Sequence, residues 1–156
     1  MKHTKNPYTK NTYDASVSDN KGAQQAPEEE VWISFEGDSH EVIKGFPAGP
    51  RQNLGHDLRL LQSGEKPQGS SSVPGLDDVF ELRDQDERAW YRVLYLKRTG
   101  DVIHVLDCFE KKSNQIEKKD IRTARTRLAA VHARLLKEKK HAAKEEQAAR
   151  NKGKRA

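Results

Sequence analysis

Hydrophobic and polar positions alternate in four stretches of the chain, and each stretch predicts a β-strand. The first is VWISFE, which begins at Val31 and is apolar at every second position, as in a half-buried strand. Three more follow residue 78 and are separated by the charged turn DQDER and by the hairpin signal Thr99, Gly100 and Asp101. These three predict an antiparallel meander of VFELR, AWYRVLYLKR and DVIHVLDCF, whose middle strand is apolar on both faces and therefore central.

Three other stretches have helical spacing. Asp38 and Ser39 are cap residues ahead of the short helix HEVIKGF, which Pro47 ends, and a second helix, RQNLGHDLRLLQS, has Gly64 at its C-terminal end. The segment EKPQGSSSVPG that follows is a loop by composition. A third helix starts near Glu117 and has one apolar stripe that should pack on the sheet: Ile121, Ala124, Leu128, Val131 and Leu135.

The order strand, two helices, three strands, helix predicts an α+β fold. Its antiparallel sheet contains the N-terminal strand and the three-strand meander, and a helical hairpin and a C-terminal helix pack against it. Since 33% of the 156 residues are hydrophobic, the chain has material for one compact core. We expect a disordered leader over residues 1–30, the folded domain over residues 31–136, and a basic helical or disordered tail over residues 137–156.

The positive charge is concentrated in the tail. The chain has 29 Lys and Arg against 24 Asp and Glu, and residues 137–156 contain eight of these basic residues and three of the acidic ones. The rest of the chain therefore has equal numbers of both. A surface that attracts an anionic partner must come from local clustering in the domain or from the tail.

Several classes of protein are not expected. No apolar run approaches the roughly 20 residues of a membrane span, and the N-terminus is polar, so we expect a soluble cytoplasmic protein with no membrane partner. The single cysteine, Cys108, excludes an internal disulfide and is expected to be a small buried residue. The histidines have no mutual ligand spacing, so neither a metal site nor a cofactor is expected.

Four basic residues lie at or near the ends of predicted strands: Arg83, Arg92, Lys111 and Lys112. Neighbouring strand ends of a meander meet at one rim of the sheet, so these side chains are predicted to converge there. Such a cluster can bind an RNA backbone and stabilise the transition state of phosphoryl transfer without a metal. The alternative is structural, with Arg83 paired to a neighbouring acid, Glu81 or Asp84, and the two lysines in a solvated turn.

Three further residues are candidates for substrate contact: Tyr91, His104 and Asp107. Tyr91 is next to Arg92 and could stack on a base, although packing in the core is the alternative. His104 lies inside a strand, where a structural histidine with satisfied hydrogen bonds is the alternative. Asp107 could do acid or base chemistry with Glu110, or the two could simply offset the lysines.

The ordered set of motifs is similar to the HigB-like, phage-related branch of the RelE/ParE toxin superfamily. The similarity covers about residues 31–136, and it is carried by GFPAGPRQNLGHDLRLLQSGEKP, VPGLDDVFELRD, WYRVLYL, VIHVLDCFEKKS and the helix with DIRTARTRL. It implies a compact RelE-like α+β domain and an endoribonuclease that cuts mRNA, usually on the ribosome. In this chemistry the ribose 2′-hydroxyl attacks the adjacent phosphate, leaves a 2′,3′-cyclic phosphate, and needs no metal.

Roles for individual residues also follow from the resemblance. Arg92 is expected to bind the scissile phosphate, and Lys112 to favour the transition state or protonate the leaving oxygen, with Arg83 and Lys111 in the same cluster. Tyr91 is a weaker substrate contact. Replacement of Arg92 by alanine is expected to abolish RNA cleavage and to leave thermal melting unchanged.

The resemblance also implies partners and leaves two alternatives open. The partner is a small antitoxin of helix-turn-helix type that covers the basic rim, and the pair contacts DNA only through that antitoxin. One alternative is a toxin without nuclease activity that inhibits DNA gyrase, as in the ParE branch. The other is a decayed relative, because this chain has Asp107 where relatives often have histidine and serines at positions 70–72 where they tend to have a basic residue.

Overall fold

The computed structural model of the chain describes residues 8, 9 and 30–154. The predicted leader therefore lies outside the described residues, except for Glu30 and for Tyr8 and Thr9, which pair with the next strand. The elements are, in chain order, β1 (Tyr8–Thr9), β2 (Trp32–Phe35), α1 (Ser39–Lys44), α2 (Ala48–Gln62), β3 (Ser71–Ser72), β4 (Val79–Gln85), β5 (Trp90–Thr99), β6 (Val102–Lys111) and α3 (Lys118–Gly153).

The described strands form one sheet of six strands in the order β1-β2-β6-β5-β4-β3. The predicted meander is confirmed, since β5 pairs antiparallel with both β4 and β6. The expected all-antiparallel arrangement is wrong at one pair, because β2 runs parallel to β6. The helical hairpin α1–α2 acts as the crossover that brings the chain back to the far side of the sheet in the same direction.

The serine loop contributes a strand that composition did not predict. Ser71 and Ser72 pair antiparallel with Glu81 and Phe80, which makes β3 an edge strand two residues long. Two residues are too few to show an alternating pattern, and serine is not typical of strands, so the sequence gives no signal for β3.

The sheet is covered on both faces, so the domain has three layers. On one face α1 and α2 pack over a core of Ile43, Leu54, Leu58, Leu82, Tyr91, Val93, Tyr95, Ile103 and Val105. On the other face α3 packs over Val79, Leu94, Leu96, Leu106, Phe109, Ala124, Leu128 and Val131. Strand β2 is buried on both faces, since Ser34 is also buried, which corrects the expectation of a half-buried strand. Cys108 is free and buried, as predicted.

The helices begin and end close to their predicted positions. Asp38 is the N-cap of α1 but makes no capping side-chain hydrogen bond. Gly64 follows α2 with a φ of 78°, the left-handed conformation expected after a helix. Glu117 is the N-cap of α3 and forms a capping box with Asp120, and the helix then continues for 36 residues, well past its last contact with the sheet. No helix among the described residues has the length and apolarity to cross a bilayer.

Candidate functional site

Three of the four predicted basic residues share one face of the sheet. Arg83 of β4 and Arg92 of β5 are direct cross-strand partners. Arg92 lies opposite Phe109 of β6, and Lys111 is two positions further along the same strand. Because alternate residues of a strand point to the same face, all three side chains lie on the face that α3 covers, near the N-terminal end of that helix. We call these three residues, together with Lys112, which follows Lys111 directly after the end of β6, the basic cluster.

Arg92 is the centre of the basic cluster and is only 2% exposed. Its Nη1 donates to Glu81 Oε2 at 2.5 Å, and its Nη2 donates to both the main-chain oxygen and Oδ1 of Asn114, at 2.5 and 2.6 Å. Its Nε is buried and has no hydrogen-bond partner among the described residues. The guanidinium is therefore held on two sides by oxygen atoms, as it would be by a carboxylate or a phosphate.

Glu81 connects the cluster to the edge of the sheet. Its Oε1 accepts a hydrogen bond from Ser71 Oγ at 3.1 Å and lies 3.6 Å from Arg83 Nε. The alternative of an Arg83–Glu81 pair is thus present in the structure, although the same carboxylate binds Arg92. This pairing also corrects the expectation that Arg92→Ala melts normally, because the substitution would leave the Glu81 carboxylate buried without its main partner.

Lys111 and Lys112 have different surroundings. Lys111 is buried, and its Nζ lies 2.8 Å from Asp120 Oδ2 and 3.1 Å from Glu117 Oε2. Burial alone would lower the pKa of Lys111, but hydrogen bonds to Asp120 and Glu117 outweigh it and raise that pKa above its ordinary value. Lys112 is exposed and makes no ion pair with another described residue. Only Lys112 therefore fits the alternative of a solvated turn.

Tyr91 lies on the opposite face of the sheet from the basic cluster. It is 1% exposed, its ring centroid is 5.0 Å from that of Phe46, and its hydroxyl donates to Asp86 Oδ2 at 3.0 Å. Burial and this hydrogen bond raise the pKa of Tyr91 to about 12. The structure does not bring Tyr91 to Arg92, because adjacent residues of a strand point to opposite faces.

His104 and Asp107 lie on the same face as the basic cluster but beneath the middle of α3. His104 Nδ1 is 3.2 Å from Glu36 Oε1, and Arg134 of α3 binds both oxygens of that carboxylate, at 2.6 and 3.0 Å. His104 Nε2 is buried with no partner among the described residues. This is a buried polar network between β2, β6 and α3, separate from the contacts of Arg92.

Asp107 belongs to a second contact between the sheet and α3. Its Oδ1 is 3.2 Å from Arg127 Nη1, and the other terminal nitrogen of Arg127 lies 2.8 Å from Asp38 Oδ1. Burial raises the pKa of Asp107 to about 6, against the opposing charge of Arg127. Asp107 is thus held by the helix, and neither His104 nor Asp107 touches the basic cluster through a hydrogen bond or ion pair that the structure records.

The sequence did not reveal the anions and the loop that neutralise the cluster. Glu81 was identified only as a neighbour of Arg83, and Asn114 and Asp120 were not identified at all. Strand register would have found Glu81, since it faces the same side as Arg92, whereas Asn114 lies in an irregular connection with no pattern to read. Within the described residues no group of three or more His, Cys, Asp or Glu is placed to hold a metal.

The chain is thus a small α+β protein. One face of its sheet carries the basic cluster, which nearby acids partly neutralise, beside the start of a long helix. The family model "Phage derived protein Gp49-like (DUF891)" matches residues 41–129, more than half of the chain. The chain therefore belongs to this phage-derived Gp49-like family, which is of the RelE/HigB toxin type.

Among solved structures, the E. coli toxin RelE is similar to this chain. The structure is of a double arginine-to-alanine mutant in the free state, with 15% sequence identity and a TM-score of 0.47. The similarity covers 63% of this chain and 97% of that one. No curated protein matches the chain significantly.

Proposed function

We propose that this chain is the toxin of a type II toxin–antitoxin pair and that it cleaves mRNA, usually on the ribosome, through its basic cluster. The observation that carries the proposal is the shared sheet face of Arg83, Arg92 and Lys111, next to the exposed Lys112. Membership of a RelE/HigB-type toxin family supports the toxin assignment. The HigB-like branch is part of the same proposal and rests on the sequence motifs.

The proposed reaction is an internal transesterification at phosphorus. The ribose 2′-oxygen loses its proton and bonds to the adjacent phosphorus, while the bond from phosphorus to the 5′-oxygen breaks. The products are a 2′,3′-cyclic phosphate and a free 5′-hydroxyl, and the leaving oxygen takes up one proton. Arg83 and Arg92 would neutralise the non-bridging oxygens, and Lys112, as the exposed cation, would supply the proton or stabilise the transition state.

A substrate phosphate must compete with groups that already bind Arg92. Asn114 presents two oxygens to the same nitrogen, and Glu81 holds the other terminal nitrogen. Asn114 is in an exposed connection, whereas Glu81 is buried, so displacement of Asn114 is the less costly step. In the proposed complex a phosphate oxygen replaces Asn114, and Glu81 remains to orient the guanidinium.

The burial of Arg92 favours a second candidate function. A guanidinium that is 2% exposed and bound on two sides is also what a purely structural ion pair would look like. In that case the chain would act by binding without cleaving, as a ParE-like gyrase inhibitor or as a decayed relative. Both alternatives predict that the wild-type protein does not cleave RNA and that substitutions in the basic cluster therefore leave the pattern of RNA 5′ ends unchanged.

The proposed partner is a cognate antitoxin, and a helix-turn-helix type fits the resemblance described above. An antitoxin that covers the exposed cations Arg83 and Lys112 would block access of RNA to the cluster. Contact with DNA is then made by the antitoxin within the complex.

The test is primer extension on mRNA from cells briefly induced for the protein. The informative variant is Arg83→Ala/Lys112→Ala, because both side chains are exposed and their loss leaves the Arg92–Glu81 pair intact. Lys44→Ala/Lys97→Ala removes the same charge elsewhere and serves as the control. We expect new 5′ ends within translated codons for wild type and control, and their loss in the cluster variant.

Other outcomes separate the alternatives. Growth arrest without new 5′ ends would contradict cleavage and favour the gyrase-type function. Absence of arrest with folded protein present would favour the decayed relative. New ends of equal strength in the cluster variant would remove Arg83 and Lys112 from the site.

A further inference from the structure

The charges of α3 are divided between two sides of the helix. With 3.6 residues per turn, each residue is rotated by about 100° from the one before. On this geometry all four acidic residues of α3, namely Asp120, Glu138, Glu145 and Glu146, fall on the side that faces the sheet or on its continuation. The opposite side, within about 120° of arc, carries seven basic residues, Lys118, Lys119, Arg122, Arg125, Lys137, Lys140 and Lys144. Lys119 lies 3.7 Å from Glu117 Oε2, and we call the other six residues the basic ridge.

The basic ridge is exposed and its charges are not neutralised within the described part of the chain. All six side chains are exposed, and none makes an ion pair with another described residue. The basic residues on the sheet side behave differently, since Arg127 and Arg134 bind the acids Asp38, Asp107 and Glu36. A helix that only needed solubility would mix both signs on its exposed side, so the separation of charge indicates an anionic partner.

The ridge continues beyond the part of the chain that matches the family. The family match ends at residue 129, whereas α3 ends at Gly153, and half of the ridge lies in this extension. The helix of 36 residues is about 54 Å long at 1.5 Å per residue. After Leu135, no residue of α3 has a side chain in either hydrophobic core. Core packing therefore does not explain why the helix extends this far.

We propose that the basic ridge binds the phosphate backbone of double-helical RNA. Two groups of exposed cations on one side of a long helix, at residues 118–125 and 137–144, fit a rigid polyanion of similar length, because each lysine or arginine that meets a phosphate releases counterions. Helix α3 contains no Phe, Tyr or Trp, so it lacks the aromatic side chains on which proteins stack the bases of single strands. Since Lys118 starts the ridge beside Glu117 and Lys111, bound RNA would pass next to the basic cluster.

The choice of RNA over DNA rests on the proposed function, while the ridge itself rests on geometry. The proposed cleavage and the proposed binding are tested by different readouts, because duplex binding is measured without cleavage. If the protein does not cleave RNA but binds a duplex through the basic ridge, the proposed nuclease activity is contradicted and the proposed binding is supported.

The experiment compares two triple variants of the full chain. The ridge variant is Lys137→Gln/Lys140→Gln/Lys144→Gln. The matched control is Lys139→Gln/Arg150→Gln/Lys152→Gln, which removes the same charge from the same segment but lies about 80° to 120° around the helix from the ridge centre. Glutamine has nearly the helix propensity of lysine and arginine, and circular dichroism checks that helix content is kept. None of these residues belongs to the basic cluster.

The probe is a fluorescent 20-base-pair RNA duplex, with a DNA duplex of the same sequence and a single strand as comparisons, and the readout is fluorescence anisotropy across salt concentrations. We expect the ridge variant to bind the RNA duplex about tenfold or more weakly at low salt, with a slope of log Kd against log salt shallower by about 2 to 3. The control should stay close to wild type.

Three results would overturn the proposal. Equal losses in both triple variants would mean that the extension acts only through its total charge. Equal affinity of wild type for the RNA and DNA duplexes would remove the assignment to RNA. Unchanged binding in the ridge variant would leave the ridge without a nucleic-acid role, and loss of binding to an acidic protein in the same variant would then assign it to a protein partner.

Discussion

Arg92 is held by structural contacts and, on the proposed function, also binds the substrate phosphate. The ion pair with Glu81 removes two charges from water, and such a pair is expensive to break from one side only. The same contact fixes the guanidinium in one orientation on the sheet, which is what a phosphate ligand requires. A loss of activity on substitution of Arg92 is therefore uninformative unless stability is measured beside it.

Arg92→Ala is expected to lower the free energy of unfolding by about 3 to 5 kcal/mol, because Glu81 is left as an unpaired buried carboxylate. Arg92→Ala/Glu81→Ala should recover part of this loss, since no buried charge is left uncompensated. Arg83→Ala, with a side chain that is 38% exposed, is the control and should change stability by less than about 1 kcal/mol. Urea denaturation measures all three. An Arg92→Ala protein as stable as Arg83→Ala would show that the ion pair is absent in solution.

The buried carboxylate of Glu36 makes the stability of the fold depend on pH in the acid range. Burial alone would raise the pKa of Glu36, but hydrogen bonds from His104 and Arg134 overcome it and bring that pKa to about 2, against 4.5 in its ordinary state. The folded state therefore holds fewer protons than the unfolded state between these values. This contribution to stability is fully present above about pH 4.5 and is lost as the pH falls towards 2.

We expect wild type to lose stability relative to Glu36→Gln as the pH falls from about 4.5 to about 2. Urea denaturation at a series of pH values measures the difference between the two proteins. Glu41→Gln is the control. Because Glu41 is 69% exposed, this substitution should leave the pH dependence of stability below pH 4.5 as it is in wild type. Parallel stability curves for wild type and Glu36→Gln over this range would show that Glu36 titrates normally in the fold.

At the scale of elements, the connection between β6 and α3 contributes the one partner of Arg92, among the described residues, that lies in an exposed loop. Asn114 holds Arg92 from an exposed loop, whereas the other partners of the cluster lie on strands or at the helix start. Asn114→Ala removes the side-chain acceptor and leaves the main-chain one. We expect it to lower the free energy of unfolding by about 1.5 to 3 kcal/mol, the range for a hydrogen bond to a charged group.

On the proposed function, Asn114→Ala should also lower the KM for RNA cleavage, because a phosphate then competes with one oxygen fewer. Initial rates on a defined RNA test this, with Ser113→Ala in the same loop as the control. A fall in kcat at unchanged KM would contradict the competition and would make Asn114 a residue that positions Arg92.

The elements differ in how well the sequence predicts them, and the reason is physical. Strands β4 to β6 and helix α2 have clear periods because each has one or two buried faces. The hydrophobic period of a strand indicates which of its residues are buried, but not whether the neighbouring strand runs parallel or antiparallel. The sequence therefore did not predict the parallel pairing of β2 with β6. The Arg92–Asn114 contact was missed for a related reason, because it joins residues 22 positions apart through a loop without a pattern.

At the scale of the whole molecule, a compact domain carries a helix that projects beyond it. The stripe of α3 that packs on the sheet ends at Leu135, and Leu136 after it is 54% exposed. From residue 137 to residue 153 every side chain is exposed, and the ion pairs recorded there, such as that of Arg150 with Glu146, stay within the extension. Stability and nucleic-acid binding should therefore separate along this helix.

Deletion of residues 137–156 is expected to change the free energy of unfolding by less than about 0.5 kcal/mol, because no buried contact is removed. The same deletion should weaken duplex RNA binding at least as much as the ridge variant, since it removes half of the ridge. Urea denaturation and anisotropy on one preparation measure both. A truncated protein that is markedly less stable would mean that the extension supports the domain, and the binding loss would then have to be judged from the two triple variants alone.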